Sequence, residues 1–269
     1  MDSLGLTVFS FAFWGLFVYL FFKYIYKRNP SNRKLRNLAM TNSQKAMMTR
    51  RIRFYNKLSD DQKNEFEKRV MNFLADKTIT GVDTEVSEDV KILVAASAVI
   101  PLFTFPYYSY PNVSEVLLYS GSFNDRFETD MKSGNRNILG MVGEGFMNGK
   151  VVLSRPDLER AFDGMPHTQN VGIHEFIHII DKADGAIDGI PEALIEHSYA
   201  VAWIGEIEKE VKKIERGKSD IRPYALTNRA EFLAVVSEYF FDNPEKMQSK
   251  HPELYEHLSN VFRQKQVFK

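Results

Sequence analysis

Val171-Gly172-Ile173-His174-Glu175-Phe176-Ile177-His178-Ile179-Ile180-Asp181 is the stretch on which the interpretation of this chain turns. Hydrophobic side chains fill most of its positions, and polar groups stand only at 174, 175, 178 and 181. In a helix, His174 and His178 lie one turn apart and project from the same side. Two imidazole nitrogens so placed can reach one cation at about 2.0–2.1 Å. Glu175 lies about 100° further round, a poor third ligand but within reach of a water at that cation. This is the H-E-x-x-H arrangement of zinc hydrolases. The duller alternative is a pair of satisfied core histidines. The apolar neighbours Ile173, Phe176, Ile177, Ile179 and Ile180 argue against it, because buried imidazoles and carboxylates are costly unless paired or metal-bound.

The chain has 269 residues, 44% hydrophobic and 26% charged, with no net formal charge and no cysteine. That length supports one good-sized domain, or two small ones, behind an anchor. Zero net charge gives no electrostatic case for nucleic acid. Without cysteine there is no disulfide, thiolate nucleophile or Cys-based metal site, so any metal must be held by histidine and carboxylate.

Leu4 to Phe22 carries no charged residue and is rich in Phe, Leu and Val. At about 1.5 Å per residue it just crosses a hydrocarbon core of about 30 Å. Only Asp2 precedes it, whereas Lys23, Lys27, Arg28, Arg33, Lys34 and Arg36 follow. The positive-inside rule then puts the body of the chain in the cytoplasm. The expectation is a single-pass anchor over residues 1–28 in the cell inner membrane, with the break at Asn29-Pro30-Ser31-Asn32. Residues 29–53 are expected as a basic juxtamembrane linker, either solvated or lying as a helix on anionic lipid.

Downstream, Ser59 and Gln62 have the spacing of a capping box, and Phe66, Val70, Phe73 and Leu74 recur at helical spacing. Ser87 caps a second helix, whose apolar run to Leu102 reads as core. A loop rich in Tyr and Phe follows and is expected to pack rather than to line a pocket. Val116–Tyr119 and Lys150–Ser154 are expected strands. The glycine-rich approach to the second suits a hairpin, or a strand that pairs with an extended peptide. A long helix is expected over 191–216 with a charged, solvated later half, another over 229–241, and a short polar, exposed helical tail over 245–269.

Two histidines leave a metal under-coordinated, since a catalytic zinc site uses three protein ligands and leaves one position open. His167 is on a polar loop, His197 lies mid-helix, and His251 and His257 fall in the expected tail. Glu231 and Glu238 are acids in the apolar 229–241 helix, seven apart and on one face. Glu231 also fits the third position of a capping box begun by Asn228, so spacing favours it over Glu238 only weakly. Asp181 is placed either to bond a ligand imidazole and fix its tautomer or simply to end its helix.

The 174–181 stretch, together with Tyr224-Ala225-Leu226-Thr227-Asn228-Arg229-Ala230-Glu231-Phe232-Leu233-Ala234-Val235-Val236-Ser237-Glu238-Tyr239-Phe240-Phe241, resembles the MtfA-like zinc metallopeptidases. Their catalytic core is related to the anthrax lethal factor protease domain. The resemblance extends upstream through Val116–Tyr119, Gly149–Ser154 and Asn170, and covers roughly residues 55–250. It implies an α+β fold, mostly helical and zincin-like with a small β-sheet, over residues 54–269. It implies that His174, His178 and Glu231 bind Zn2+, that Glu175 is the catalytic base, and that Tyr224 helps to stabilise the oxyanion. It implies outer positions for Asp181 and Glu238. The expected function is a membrane-anchored zinc peptidase acting on peptide or protein substrates. The alternative is a membrane-tethered zinc-containing binding protein with a regulatory partner. The best-known family member is soluble and binds a transcriptional repressor; because this chain has an expected anchor, that partner is not carried over.

Overall fold

A computed structural model of the chain describes residues 39–106, 108–122, 140–142, 149–164 and 169–264. The chain divides into two compact units, Met1–Leu38 and Ala39–Lys269. Only the second falls among the described residues. The expected span at residues 4–22 lies outside them; among the described residues no helix is long and apolar enough to cross a membrane.

Among the described residues four strands form one sheet: β1 (Thr78–Val82), β2 (Glu115–Tyr119), β3 (Gly140–Val142) and β4 (Lys150–Ser154), in the order β1-β2-β4-β3. β1, β2 and β4 are parallel, with Ile79 opposite Val116 and Val116 opposite Val151. β3 runs antiparallel to β4, with Met141 opposite Val152. β4 is buried along Val151–Ser154, as a nearly continuous apolar run covered on both faces must be. Between β2 and β4, Glu115 accepts from Lys150 Nζ at 2.5 Å, and it also accepts from Thr80 Oγ1 on β1 at 2.6 Å.

The helices supply most of the core. Among the described residues they are α1 (Asn42–Arg51), α2 (Arg53–Asn56), α3 (Asp60–Asp76), α4 (Glu88–Val99), α5 (Arg155–Ala161), α6 (Val171–Asp181), α7 (His197–Glu215), α8 (Arg229–Asp242), α9 (Pro244–Lys250) and α10 (Pro252–Val261). The Ser59–Gln62 capping box is formed in both directions at the start of α3. From Val90 on, every residue of α4 but Lys91 is buried, so it is a central helix rather than a surface one. The aromatic loop after it does pack: Tyr110 donates its hydroxyl to Ala98 O at 2.7 Å, and its ring lies 5.0 Å from Phe176 on α6.

Two expectations fail at the edges of the domain. Residues 39–53 are neither linker nor lipid-lying helix. Met40, Met47, Met48 and Ile52 are buried in the core, and three of the basic residues expected to face lipid are engaged internally. Lys45 pairs with Glu67 at 2.6 Å, Arg51 pairs with Asp163 at 2.7 Å and donates to Glu159 O, and Arg53 donates to Asp242 O. The compact unit therefore begins at Ala39 rather than residue 54.

The C-terminal stretch is likewise not an exposed tail. Met247, Leu254, Tyr255, Leu258, Val261 and Phe262 are buried; the last five recur at the i, i+1, i+4, i+7, i+8 spacing of an amphipathic helix, hidden among Lys and Glu in the sequence. The later half of α7 is also less solvated than its charge suggests, since Glu206 and Glu210 are buried.

That burial is balanced by a polar network. His251 sits between Glu210 on α7 and Asp220, with Nδ1 3.1 Å from Glu210 Oε2 and Nε2 2.9 Å from Asp220 Oδ1. Lys213, Lys246 and Lys250 complete it. The Glu210 carboxylate, and then Asp220, hold His251 above the usual imidazole range against its burial. Asp220, although partly desolvated, is held well below the usual carboxylate range by Lys246 and His251.

The signs give a window. The raised imidazole contributes stability that is complete below its unfolded value of about 6.5 and is lost as pH rises through its folded value. The depressed Asp220 contributes above about pH 4 and is lost on further acidification. We expect His251→Ala to cost about 3 kcal/mol at pH 6, with the gap from wild type narrowing as pH rises. Urea unfolding of both proteins from pH 5 to 9 reads this; a gap constant over that range contradicts it.

Candidate metal centre

α6 is fixed at three points. Asn170 caps it, with Oδ1 accepting from Ile173 N–H at 3.0 Å. Its first turn lies so close to α4 that a Cβ at Gly172 would stand 2.1 Å from Ser97 Oγ. Phe176 is wedged edge-on against Phe73 at 5.7 Å and against Tyr110. Held this way, α6 turns His174 and His178 toward α8, each side chain 13% exposed.

α8 delivers the third group. Asn228 Oδ1 accepts from Glu231 N–H at 2.8 Å, the backbone half of a capping box. The Glu231 carboxylate instead turns to the histidines: Oε2 lies 3.0 Å from His174 Nε2, and Oε1 lies 3.5 Å from His178 Nε2. The two Nε2 atoms are 3.2 Å apart. Four ligands about 2.0–2.1 Å from a tetrahedral ion stand about 3.3 Å from one another. The separations of 3.0, 3.2 and 3.5 Å, which involve both Glu231 oxygens, are of that size, and with one donor atom taken from each residue the three lie within 4.8 Å of one another. Among the described residues, His174, His178 and Glu231 are the group that could hold a metal ion.

Around this face the outer contacts are carboxylate-rich. Glu238 Oε1 lies 2.6 Å from His174 Nδ1 and accepts from Arg222 Nη2 at 2.7 Å. Its other oxygen accepts from Asn170 N–H at 2.8 Å, and Asn170 Nδ2 donates to Asp242 Oδ1 at 3.1 Å. Glu238 therefore fixes the Nδ1–H tautomer and aims the Nε2 lone pair at the metal position. Burial disfavours charge on His174, but Glu231 and Glu238 outweigh it and push its pKa up to about 10. Burial alone would raise Glu231, yet the two imidazoles hold it well below the carboxylate range. A bound cation would replace the Nε2 proton in this balance. Burial pushes Asp242 up to about 7.

Glu175 is buried, and that burial raises its pKa against the pull of His174 and His178. Tyr224 lies on a 3-10 turn (Pro223–Leu226) and is 51% exposed, its ring 6.2 Å from that of His174. Partial burial, then the Glu231 and Glu175 carboxylates, hold its phenol in the protonated form.

The structure thus brings His174, Glu175, His178, Tyr224, Glu231 and Glu238 to one place. Glu231 makes the ligand-type contact, and Glu238 stands behind His174. Asp181 differs from expectation. It is fully buried, but Oδ2 accepts from Gly189 N–H at 3.0 Å, and among the described residues neither Asp181 Oδ1 nor His178 Nδ1 has a hydrogen-bond partner. It anchors the loop after α6 rather than orienting an imidazole. His197 is exposed and bonds Glu192, and His251 belongs to the Glu210–Asp220 network; His167 lies outside the described residues. Arg222 and Asp242 were not legible in advance. Arg222 stands only two residues before Tyr224, but no spacing rule gives it Glu238 as a partner.

A histidine pair one turn apart with a glutamate between them, and a second glutamate from another helix, make a site of the metallopeptidase class. The family profile described as "Glucose-regulated metallo-peptidase M90" matches residues 26–263. The chain belongs to this MtfA-like family. It is 30% identical over 229 residues to an uncharacterized protein of Synechocystis, covering 81% of this chain and 82% of that one. It is 30% identical over 160 residues to Mlc titration factor A of Serratia proteamaculans (56% of this chain, 60% of the relative). To the Klebsiella pneumoniae protein of that name it is 26% identical over 218 residues, 77% and 81% of the two chains.

The contact pattern ranks Glu231 and Glu238. Glu238→Gln keeps an acceptor for His174 Nδ1–H and should weaken zinc affinity by about 10-fold, in the range for outer partners. Glu231→Gln removes the ligand and should weaken it far more. Chelator competition on both variants checks the order, and the reverse order would make Glu238 the ligand.

Proposed function

We propose that this chain is a zinc-dependent peptidase, tethered to the cell inner membrane by residues 4–22, with its metallopeptidase domain facing the cytoplasm. The convergence of His174, His178 and Glu231, whose donor atoms lie within 4.8 Å of one another, with Glu175 beside them, is the observation that carries the reading. Two imidazoles and one carboxylate make the donor set of a catalytic zinc site with one position left open. When bound, zinc supplies Lewis acidity there, polarising a scissile carbonyl and acidifying a water.

The chain's own residues do the rest. Glu175, its pKa raised by burial, accepts the proton of the attacking water and hands it to the leaving amine. Tyr224, protonated and open to solvent on one side, donates a hydrogen bond to the tetrahedral oxyanion. His174 is held in register by Glu238, and Glu238 by Arg222 and Asn170. Among the described residues β3 ends the sheet beside α6, and an extended peptide adding to that edge would run past the histidines. The substrate is accordingly a peptide or protein in extended conformation.

A second reading has one observation in its favour: relatives of this chain bear the name Mlc titration factor A. In that reading the domain is a tethered binding protein for a regulatory partner, and its metal is structural. Structural zinc sites close with four protein ligands; three are found among the described residues, which favours catalysis.

Peptide-library cleavage by the full chain, abolished by chelator and restored by zinc, is the expected result. Glu175→Gln should keep zinc and fold and lose about 10²–10⁴-fold in kcat. Tyr224→Phe should lose about 10²-fold in kcat with KM little changed. Full activity of purified Glu175→Gln would overturn the base assignment. Wild type that holds zinc but cleaves nothing would favour the binding reading. The tether is checked separately: the full chain should resist carbonate extraction from membranes, and deletion of residues 1–28 should release it.

A further inference from the structure

Gly189 sits where three elements of the site meet. Its N–H donates to Asp181 Oδ2 at 3.0 Å, at the C-terminal end of α6. Its carbonyl accepts from Trp203 Nε1 at 2.7 Å, on α7. Asp181 and Trp203 are both fully buried. The third neighbour is the first residue of α8: a Cβ at position 189 would stand 2.3 Å from Arg229 O and 2.5 Å from its carbonyl carbon. Gly189 also has φ +78, a conformation that L side chains rarely adopt. Both the dihedral and the close approach therefore demand glycine here.

Arg229 is two residues before Glu231, in the same helical turn. The backbone that Gly189 presses against is thus the backbone that aims the third carboxylate. We infer that Asp181, Gly189 and Trp203 form a clamp that sets the distance between α6 and the start of α8, and so positions Glu231 against His174 and His178. Asp181 and Trp203 are positioning residues: one holds the N–H of Gly189 and the other its carbonyl, and neither meets the substrate. The clamp gives a buried carboxylate beside a ligand-bearing helix a task that does not require contact with His178.

The inference rests on His174, His178 and Glu231 forming one metal centre, and its test separates the two claims. Zinc affinity of the full chain is measured by competition with a chromophoric chelator, with zinc alone as the probe. Asp181→Ala and Gly189→Ala should each weaken zinc binding about 10–100-fold, the range for removing an outer support of a metal site. Asp181→Asn keeps an oxygen acceptor for Gly189 N–H and should restore affinity to within about threefold of wild type. Trp203→Phe removes the N–H donor but keeps a ring, and should fall between the two. Val116→Ala, in a buried position of β2, lowers stability without touching the clamp and should leave affinity unchanged.

A double-mutant cycle supplies the decisive arm. If the clamp acts through Glu231, Asp181→Ala added to Glu231→Ala should weaken zinc no further than Glu231→Ala alone. Additive losses would overturn the inference, as would folded Asp181→Ala and Gly189→Ala proteins with wild-type affinity. An equal loss in Val116→Ala would overturn it too, by making the effect one of stability. Wild type that binds no zinc would instead refute the metal centre itself.

Discussion

The Glu231 carboxylate meeting the edges of two imidazoles is the contact on which the rest of the structure depends. It brings one acid and two bases into the interface of α6 and α8, where Ile173, Ile177, Val235 and Phe232 are buried. Polar groups in such surroundings are tolerated only when their hydrogen-bonding capacity is met. Glu231 is met by the histidines and His174 by Glu238. Glu238 in turn is met by Arg222 and the Asn170 backbone. The opposing pKa displacements of His174 and Glu231 have the same origin: each group stabilises the charge of the other against burial. A cation would meet the same groups with one positive centre in place of a proton.

Much of this was legible in the chain before any coordinates. The period of the α6 residues, the His174–His178 spacing and the position of Glu175 follow from helix geometry alone. So do the Ser59–Gln62 capping box, the core character of α4 and the β2 and β4 strands, because each rests on local chemistry. The choice between Glu231 and Glu238 was different. Both acids lie on one face of α8, and only the approach angle of α6 decides which meets Nε2 and which meets Nδ1. The resemblance to a known family made that choice, and periodicity could not. Asp181 shows the same limit from the other side: its spacing from His178 fits a carboxylate that bonds the imidazole, yet the structure gives it to a backbone N–H eight residues on.

The two edge errors share one cause. At 39–53 and at 245–262, charge density hid an apolar face. Lys45, Arg51 and Arg53 look like a surface facing anionic lipid until their partners Glu67, Asp163 and the Asp242 carbonyl are known. His251 reads as an exposed tail residue until Glu210 and Asp220 close on it from two sides. In both stretches the charges are paired by residues 20 or more positions away, and long-range pairing leaves no periodic trace.

Placing residues 39–56 in the core changes what lies behind the site. Arg53 donates to the carbonyl of Asp242, the last residue of α8. Asp242 accepts from the side chain of Asn170, whose Oδ1 caps α6 and whose N–H holds Glu238. Four links therefore join the first helices of the domain to the imidazole of His174. Rigid support of this kind is what a metal site needs, since ligand positions must hold to within about 0.2 Å. It comes from the stretch of chain immediately after the Met1–Leu38 unit. The stretch expected to be a passive spacer is instead a structural part of the centre, and a truncation placed at residue 54 would remove Met47, Met48, Ile52 and Arg53 from beneath the groups it was meant to isolate.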